Sequence, residues 1–197
     1  IEWLNLREGS DHRARDKDLL KAAVDWLNNL KAKDKVIVDL GSGTGSTIRG
    51  LQRYKTLTPS VQWRLVDNDP ELLAEAIHRH SEEYSIESFL VDLSETQKLP
   101  LESVSLMTAS ALLDLVSENF IQDLCQLIKE KNKCRPVGFY SALNYDGFIR
   151  WTPFHSLDAA ILMNFNADQR RDKGFGPALG PDATDFLKAQ FHSTNFQ

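Results

Sequence analysis

Two patterns of hydrophobic and polar positions alternate along the chain. Short apolar runs bounded by turn-forming residues predict β-strands, and longer stretches with apolar residues three and four apart predict helices that face a core. The strands are expected near 35–40, 62–67, 87–92, 104–110 and 136–143, and the helices near 16–30, 45–54, 70–84, 117–131 and 156–171. This alternation predicts an α/β fold with a doubly wound, mainly parallel sheet flanked by helices.

The first predicted strand runs directly into a glycine-rich turn. Residues 36–40 are apolar except for Asp39, as expected of a strand covered on both faces, and residues 41–46 are Gly-Ser-Gly-Thr-Gly-Ser. Glycine lets the backbone approach a ligand where a side chain would collide. The spacing Asp-x-Gly-x-Gly-x-Gly differs from the dinucleotide pattern Gly-x-Gly-x-x-Gly, because Ser46 stands where the last glycine would be. The turn therefore predicts a nucleotide-type cofactor site.

The next two predicted strands also end in an acidic residue. Asp67 follows the apolar run 63–66, and Asp92 follows the run 88–91. An acid about 20 residues beyond a glycine loop accepts hydrogen bonds from the two ribose hydroxyls in many nucleotide-binding α/β domains, which makes Asp67 the strongest candidate. Asp69, which precedes Pro70, is instead expected to cap the following helix.

The glycine turn and the acids after it resemble the first motifs of the S-adenosylmethionine-dependent methyltransferases with a Rossmann-like core. The resemblance implies S-adenosylmethionine as the cofactor. This cofactor carries a positively charged sulfonium and ammonium and no phosphate. A loop with an acidic neighbour attracts those positive groups, whereas it would repel a phosphate. It also implies that Asp39 organises the loop around the methionyl part, and that the cofactor's sugar and amino-acid portions lie against the loop. The cofactor-binding residues implied here are Asp39, Gly41, Ser42, Gly43, Gly45, Asp67 and Asn68.

The same resemblance extends to the third and fourth strands. Asp92 is implied to accept from the adenine amino group, with the backbone of Leu93 against the ring. Ala109 and Ser110, at the end of strand four, are implied to lie beside the methyl group, together with Asp114.

The family's sheet has seven strands, of which five are secure in this sequence. A sixth is expected at Phe148–Trp151, after the Asp146-Gly147 turn signal. A last antiparallel strand is expected to start at Phe196 or to be missing, so that the C-terminal part is incomplete.

The first 30 residues are expected to form an N-terminal segment of the kind that often covers the cofactor in related enzymes. Within it, Arg13 or Arg15 is a candidate partner for the methionyl carboxylate, because a guanidinium fork matches that group. A solvated, charged helix start explains the same residues equally well.

The stretch 144–181 combines polar, aromatic and glycine residues, as expected of a substrate-side insertion or lid. It resembles the corresponding part of uncharacterised bacterial methyltransferase-like proteins. His155 and Tyr145 are the candidate catalytic bases, since both follow strand five on the side where acceptors bind. An ordinary surface helix over 156–171 is the alternative interpretation.

Composition narrows the function further. The 197 residues are 42% hydrophobic, enough for a single domain over 1–197. Acidic residues outnumber basic ones, 28 to 23, and no basic run is interleaved with aromatics, so no nucleic-acid partner is expected. No apolar stretch has the length of a signal or membrane span, which predicts a cytoplasmic protein with no membrane partner. The two cysteines do not form a metal set, and no metal is expected.

The sequence therefore predicts methyl transfer from S-adenosylmethionine to a small-molecule acceptor. Neither the Asn-Pro-Pro-Tyr of many amino-directed methyltransferases nor a Pro-Cys nucleophile follows strand four, where Ser110–Leu113 stands. Two alternatives stay open, a non-catalytic S-adenosylmethionine-binding protein and an NAD-dependent oxidoreductase, and the glycine spacing disfavours the second. The oligomeric state is left open.

Overall fold

A computed structural model describes residues 1–53 and 61–193. Its α-helices are α1 (Glu2–Ala14), α2 (Lys17–Asn29), α3 (Ser46–Gln52), α4 (Pro70–His80), α5 (Glu118–Asn132), α6 (Asp158–Gln169) and α7 (Ala183–Ser193). Its strands are β1 (Lys35–Leu40), β2 (Val61–Asp67), β3 (Ser85–Leu90), β4 (Val104–Ser110) and β5 (Gly138–Ala142). Three short 3-10 turns occupy Thr96–Lys98, Leu113–Leu115 and Gly180–Asp182.

The five strands form one parallel sheet in the order β3-β2-β1-β4-β5. The chain winds outward from β1 in one direction and then in the other, so a switch point lies between β1 and β4, where open α/β sheets bind their ligands. The register places Asp39, Thr108 and Tyr140 at one level on three adjacent strands. The predicted doubly wound, parallel α/β fold is confirmed.

Burial explains why these segments form these elements. All six residues of β1 are buried, which fits its apolar run, and Trp63 of β2 is fully buried. Helix α2 buries one face, and that face carries Leu20, Val24 and Leu27. A carboxylate caps the start of α2 and the start of α4. Asp16 accepts from two backbone N–H groups of α2, and Asp69 does the same for α4, as expected from the sequence.

The predicted sixth strand is wrong. Phe148–Trp151 has no regular secondary structure. The Asp146-Gly147 turn is present, with Phe148 N donating to Asp146 Oδ1 at 3.0 Å and Gly147 at φ 83°, but it does not lead into a strand. A turn signal orients the chain locally and supplies no partner strand, so it cannot by itself make a sheet. The strand expected at Phe196 falls outside the described residues.

The described residues group into two compact units. The first comprises Ile1–Ser110 with Glu130–Leu143 and holds the whole sheet. The second comprises Ala111–Lys129 with the chain from Asn144 onward. Within this unit the rings of Phe120 and Phe175 pack edge to face, with their centroids 5.3 Å apart. The predicted single domain, with a substrate-side insertion at 144–181, stays a prediction.

The described part of the chain contains no helix that is long and apolar enough to cross a membrane. Both cysteines are free, Cys125 buried and Cys134 exposed.

Candidate functional site

The glycine turn joins β1 to α3 at the switch point of the sheet. Gly41, Gly43 and Gly45 have φ values of 63°, 52° and 79°, a left-handed conformation that side-chain-bearing residues rarely adopt. Two backbone bonds hold the turn: Ser42 N donates to Val66 O at 3.1 Å, and Gly45 N donates to Ser42 O at 2.9 Å. The sequence therefore needs glycine here for the backbone conformation itself.

Asp67, at the end of β2, braces this turn. Its Oδ2 accepts from Gly43 N at 2.8 Å, and its Oδ1 accepts from Asp69 N at 3.1 Å. The residue is 9% exposed, and each carboxylate oxygen has a second lone pair free for another donor. Asn68 beside it is exposed. The carboxylate thus belongs to the loop's own scaffold and can also receive a hydroxyl.

Asp39 is a buried carboxylate with unused hydrogen-bonding capacity. It is 1% exposed, and Thr108 Oγ1 of β4 donates to its Oδ1 at 2.6 Å. Its Oδ2 makes no hydrogen bond of ordinary geometry to a described residue, although the Thr47 hydroxyl is near enough to lower the pKa of the carboxyl. Burial raises the pKa of Asp39 to about 6, against the opposing effects of the Thr108 hydrogen bond and the Arg15 charge.

Arg15, between α1 and α2, is a buried cation in the same unit. It is 3% exposed, and its Nη1 donates to Ser110 Oγ at 3.0 Å and to Tyr140 Oη at 3.5 Å. Its Nε and Nη2 have no partner within the described part of the chain. A Cβ on Gly50 of α3 would lie 3.1 Å from Nε, so that glycine makes room for the guanidinium.

These groups form what we call the Asp39–Arg15 site, defined by Asp39, Arg15, Thr47, Thr108, Ser110 and Tyr140. Thr47 and Ser110 complete it, with their hydroxyl oxygens 3.2 Å apart. Buried polar groups are nearly always hydrogen-bonded, and a buried charge without partners costs several kcal/mol. A buried carboxylate and a buried guanidinium, each with unpaired polar atoms, are complementary in charge to the two ends of a zwitterion.

The other predicted cofactor residues lie at neighbouring strand ends. Asp92 is exposed, and its Oδ1 accepts from Ser94 N at 2.9 Å and from Ser94 Oγ at 2.7 Å, bonds that lower its pKa. Leu93 is 6% exposed and Ala109 is fully buried in β4. Of the two candidate arginines, Arg13 is exposed and donates to Ser10 Oγ at 3.0 Å. Only Arg15 of that pair points into the buried site.

The two candidate bases belong to the second unit. Tyr145 Oη donates to Asn166 Oδ1 at 2.6 Å. The side chain is partly buried, and this desolvation is the first cause that raises the pKa of its hydroxyl. His155 is exposed and lies just before α6; its Nδ1 accepts from Leu157 N at 3.2 Å. These are local contacts that stabilise a turn and a helix. Their catalytic role stays a prediction.

Sequence reasoning missed several site residues. Thr108 and Tyr140 reach the Asp39–Arg15 site through strand register, for which a single strand carries no signal. A second group, Glu8, His12, Thr44, Arg49 and His80, lies beside the glycine turn. The Glu8-x-x-x-His12 spacing, one helical turn, was the available signal for part of it.

No cluster of three or more His, Cys, Asp or Glu side chains suited to a metal occurs in residues 1–53 and 61–193.

Comparison with known proteins shows which solved structures share this fold. No protein-family model matches the sequence, and no curated protein matches it. A S-adenosylmethionine-dependent methyltransferase from Clostridium acetobutylicum ATCC 824 matches with a TM-score of 0.51 and 16% identity, over 73% of this chain and 57% of that one.

Two further structures carry the cofactor. Human N-acetylserotonin methyltransferase in complex with SAM matches with a TM-score of 0.53 and 17% identity, over 100% of this chain and 48% of that one. Geranyl diphosphate methyltransferase in complex with SAM matches with a TM-score of 0.52 and 12% identity, over 96% and 68%. The chain spans about half the length of the first two structures. It has the Rossmann-like fold of these methyltransferases.

Proposed function

We propose that this protein binds S-adenosylmethionine at the glycine turn and transfers its methyl group to a small-molecule acceptor. The observation that carries the proposal is the Asp39–Arg15 site, a buried carboxylate and a buried guanidinium that each keep unused hydrogen-bonding capacity. The methionyl end of the cofactor is a zwitterion and has the complementary groups. A dinucleotide end, with two phosphates, would leave the carboxylate opposed to negative charge.

Each part of the site has a role in this proposal. Arg15 binds the methionyl carboxylate through its Nε and Nη2, since a guanidinium fork fits a carboxylate in two parallel bonds. Asp39 faces the ammonium. Asp67 accepts from the ribose hydroxyls, and Asp92 with Leu93 receives the adenine. The residues of the glycine turn let the cofactor lie against the backbone.

The bound cofactor would supply an electrophilic methyl group on a sulfonium. The protein's own contribution is then to hold donor and acceptor in line and to exclude water, because the electrophile needs no further activation. Ala109 and Ser110 line the donor side, and the segment 144–181 selects the acceptor. Tyr145 and His155 accept a proton where the acceptor must lose one.

Two observations support a small acceptor. The net charge is −5, which disfavours a polyanion such as nucleic acid. Two of the structures with the same fold are named for small substrates, N-acetylserotonin and geranyl diphosphate.

A thermal-shift titration tests the cofactor. S-adenosylmethionine, S-adenosylhomocysteine, NAD and ATP are compared at equal concentrations. A ligand present at about 100 times its dissociation constant adds about 2.7 kcal/mol, or roughly 5–10 °C in a protein of this size. We expect stabilisation by the first two ligands only. A shift with NAD, or none with any ligand, would contradict the proposal.

Matched arginine variants place the site. Arg15→Met should abolish the shift produced by S-adenosylhomocysteine, measured against that variant's own unliganded midpoint. Arg13→Met removes an exposed arginine two residues away and should retain the shift in full. Equal behaviour of the two variants would show that the carboxylate partner lies elsewhere.

A further inference from the structure

A polar cluster on the outer side of the glycine turn joins three helices to the loop. We define it as the Arg49 cluster: Glu8 and His12 of α1, Thr44 of the turn, Arg49 of α3 and His80 of α4. None of these residues belongs to the Asp39–Arg15 site.

Arg49 makes most of the connections in this cluster. Its Nη1 donates to the backbone oxygen of Thr44 at 2.6 Å, and its Nη2 donates to Thr44 Oγ1 at 3.2 Å. The same Nη1 lies 2.8 Å from His80 Nε2, and Nε is paired with Glu8 Oε1. One planar guanidinium with five donors therefore spans α1, the turn and α4 at once.

The cluster lies in contact with the turn's own backbone. A Cβ placed on Gly45 would come within 2.9 Å of His80 Cδ2, and one on Gly43 would lie 3.6 Å from Leu4 Cδ1 of α1. Thr44, which Arg49 holds by two bonds, is the residue between these two glycines. Its position thus fixes the direction of the peptides on either side.

The protonation of the cluster is consistent with an arginine held in place. Burial, with the positive charges of Arg49 and Arg79, lowers the pKa of His80, although a hydrogen bond with the Thr44 backbone and the charge of Glu83 oppose this. His80 is therefore neutral at pH 7 and its Nε2 accepts from Arg49. On the other side, burial would raise the pKa of Glu8, but hydrogen bonds from Arg49 and His12 hold it below its ordinary value, so Glu8 is ionised.

We propose that Arg49 is a positioning residue for cofactor binding: it holds the peptides of the glycine turn in their binding conformation by tying Thr44 to Glu8 and His80. This inference rests on the proposed function. It adds a residue that lies outside the Asp39–Arg15 site and acts through the backbone of the turn.

Isothermal titration with S-adenosylhomocysteine tests the proposal on the wild type and four variants. Arg49→Gln should weaken binding at least tenfold. Glu8→Gln keeps an acceptor oxygen but removes the charge from one of the three ties, and it should weaken binding about threefold. Arg49→Lys should recover most of the stability to urea but not the affinity, because one ammonium cannot reach Thr44, Glu8 and His80 together. A merely structural arginine would lose or recover stability and affinity in step.

Arg79→Gln is the matched control. Arg79 Nη2 of α4 also contacts α1, donating to Asn5 Oδ1 at 2.9 Å, but it makes no bond to the turn. The control should keep the wild-type affinity. If Arg79→Gln and Arg49→Gln weaken binding equally, the affinity depends on the seating of α1 and the role given to Arg49 is wrong.

The His80 ring signal in a proton NMR titration gives an independent measurement. Adding S-adenosylhomocysteine should move the His80 signal in the wild type, and Arg49→Gln should raise the His80 pKa and abolish the response to ligand. An unmoved signal during saturating binding would overturn the inference. Failure of the wild type to bind S-adenosylhomocysteine at all would instead refute the proposed function, so the two failures are distinguishable.

Discussion

Asp67 combines an observed role in the glycine turn with a predicted role in ligand binding. Its position after β2 predicts a ribose partner, and the structure shows that both of its oxygens already accept backbone N–H groups, from Gly43 and Asp69. The carboxylate therefore shapes the turn, and under the proposed function it also faces the ribose. We therefore expect a substitution here to loosen the glycine turn and, under the proposed function, to remove a ligand contact as well.

Asp67→Ala tests this double role. We expect S-adenosylhomocysteine to bind about 10–100-fold more weakly, the loss of one or two hydrogen bonds to a charged group. Asp67→Asn keeps one acceptor oxygen and should lose less. Calorimetric titration of both variants measures the effect, and an Asp67→Ala variant with wild-type affinity would show that the ribose does not bind here.

At the level of helices and strands, the Asp39–Arg15 site depends on how closely α2 packs on the sheet. Trp26 of α2 lies over Gly138 of β5, where an added Cβ would be 2.7 Å from the indole Nε1 and 3.1 Å from Leu106 Cδ1. The indole N–H donates to Ser105 O at 3.2 Å. Glycine at 138 thus lets α2 lie flat against β5, two residues from Tyr140, which contacts Arg15.

Gly138→Ala should destabilise the fold by about 1–3 kcal/mol, because overpacking a close helix–sheet contact forces the side chain or backbone to move. The Trp26→Leu substitution removes the obstructing ring. In the double variant the added methyl should cost less than it does in the wild type, a coupling that urea denaturation of the four proteins measures. Simple additivity of the two changes would mean that the clash is relieved some other way.

For the molecule as a whole, buried titratable groups set the response to pH. The pKa of Asp39 is raised to about 6 by burial, so the folded state binds its proton more tightly than the unfolded state. This contribution to stability is complete below about pH 4 and is lost as the pH rises through 6. His12 and His80 have lowered pKa values, caused first by burial, and act in the opposite direction, losing stability as the pH falls below their ordinary range.

Asp39→Asn isolates the aspartate, since both histidines titrate alike in the two proteins. The amide keeps an acceptor for Thr108 and removes the buried charge. We expect the variant to match the wild type near pH 4 and to exceed it at pH 7.5 by up to about 3 kcal/mol in free energy of unfolding. Urea denaturation at both pH values measures this.

The same variant should bind S-adenosylhomocysteine poorly at pH 7.5, where it is more stable. Higher stability with lower affinity is expected where a protein keeps a costly charge for its ligand. If Asp39→Asn is less stable than the wild type at pH 7.5, the carboxylate holds the fold together and its place in the proposed function is wrong.

The sequence was a good guide wherever a rule is local. The five strands lie within two residues of their predicted starts and ends, because apolar runs and turn residues act on neighbouring positions. The glycine turn and the cap at Asp69 were predictable for the same reason: backbone conformation and capping depend on a few adjacent residues. The sixth strand failed because a strand needs a partner, which lies far away in the chain.

Contacts between distant residues needed the folded chain. Arg15, which lies between α1 and α2, meets Ser110 of β4, 95 positions later. Thr108 meets Asp39 across 69 positions through the register of β4 on β1. The Arg49 cluster joins α1, α3 and α4, which are also far apart in the sequence. The amino-acid pattern alone sets which segments become strands, turns and helix starts, since those follow from short-range sterics and burial. Which buried charges face one another depends on sheet topology, so that part of the site exists only once the strands have paired.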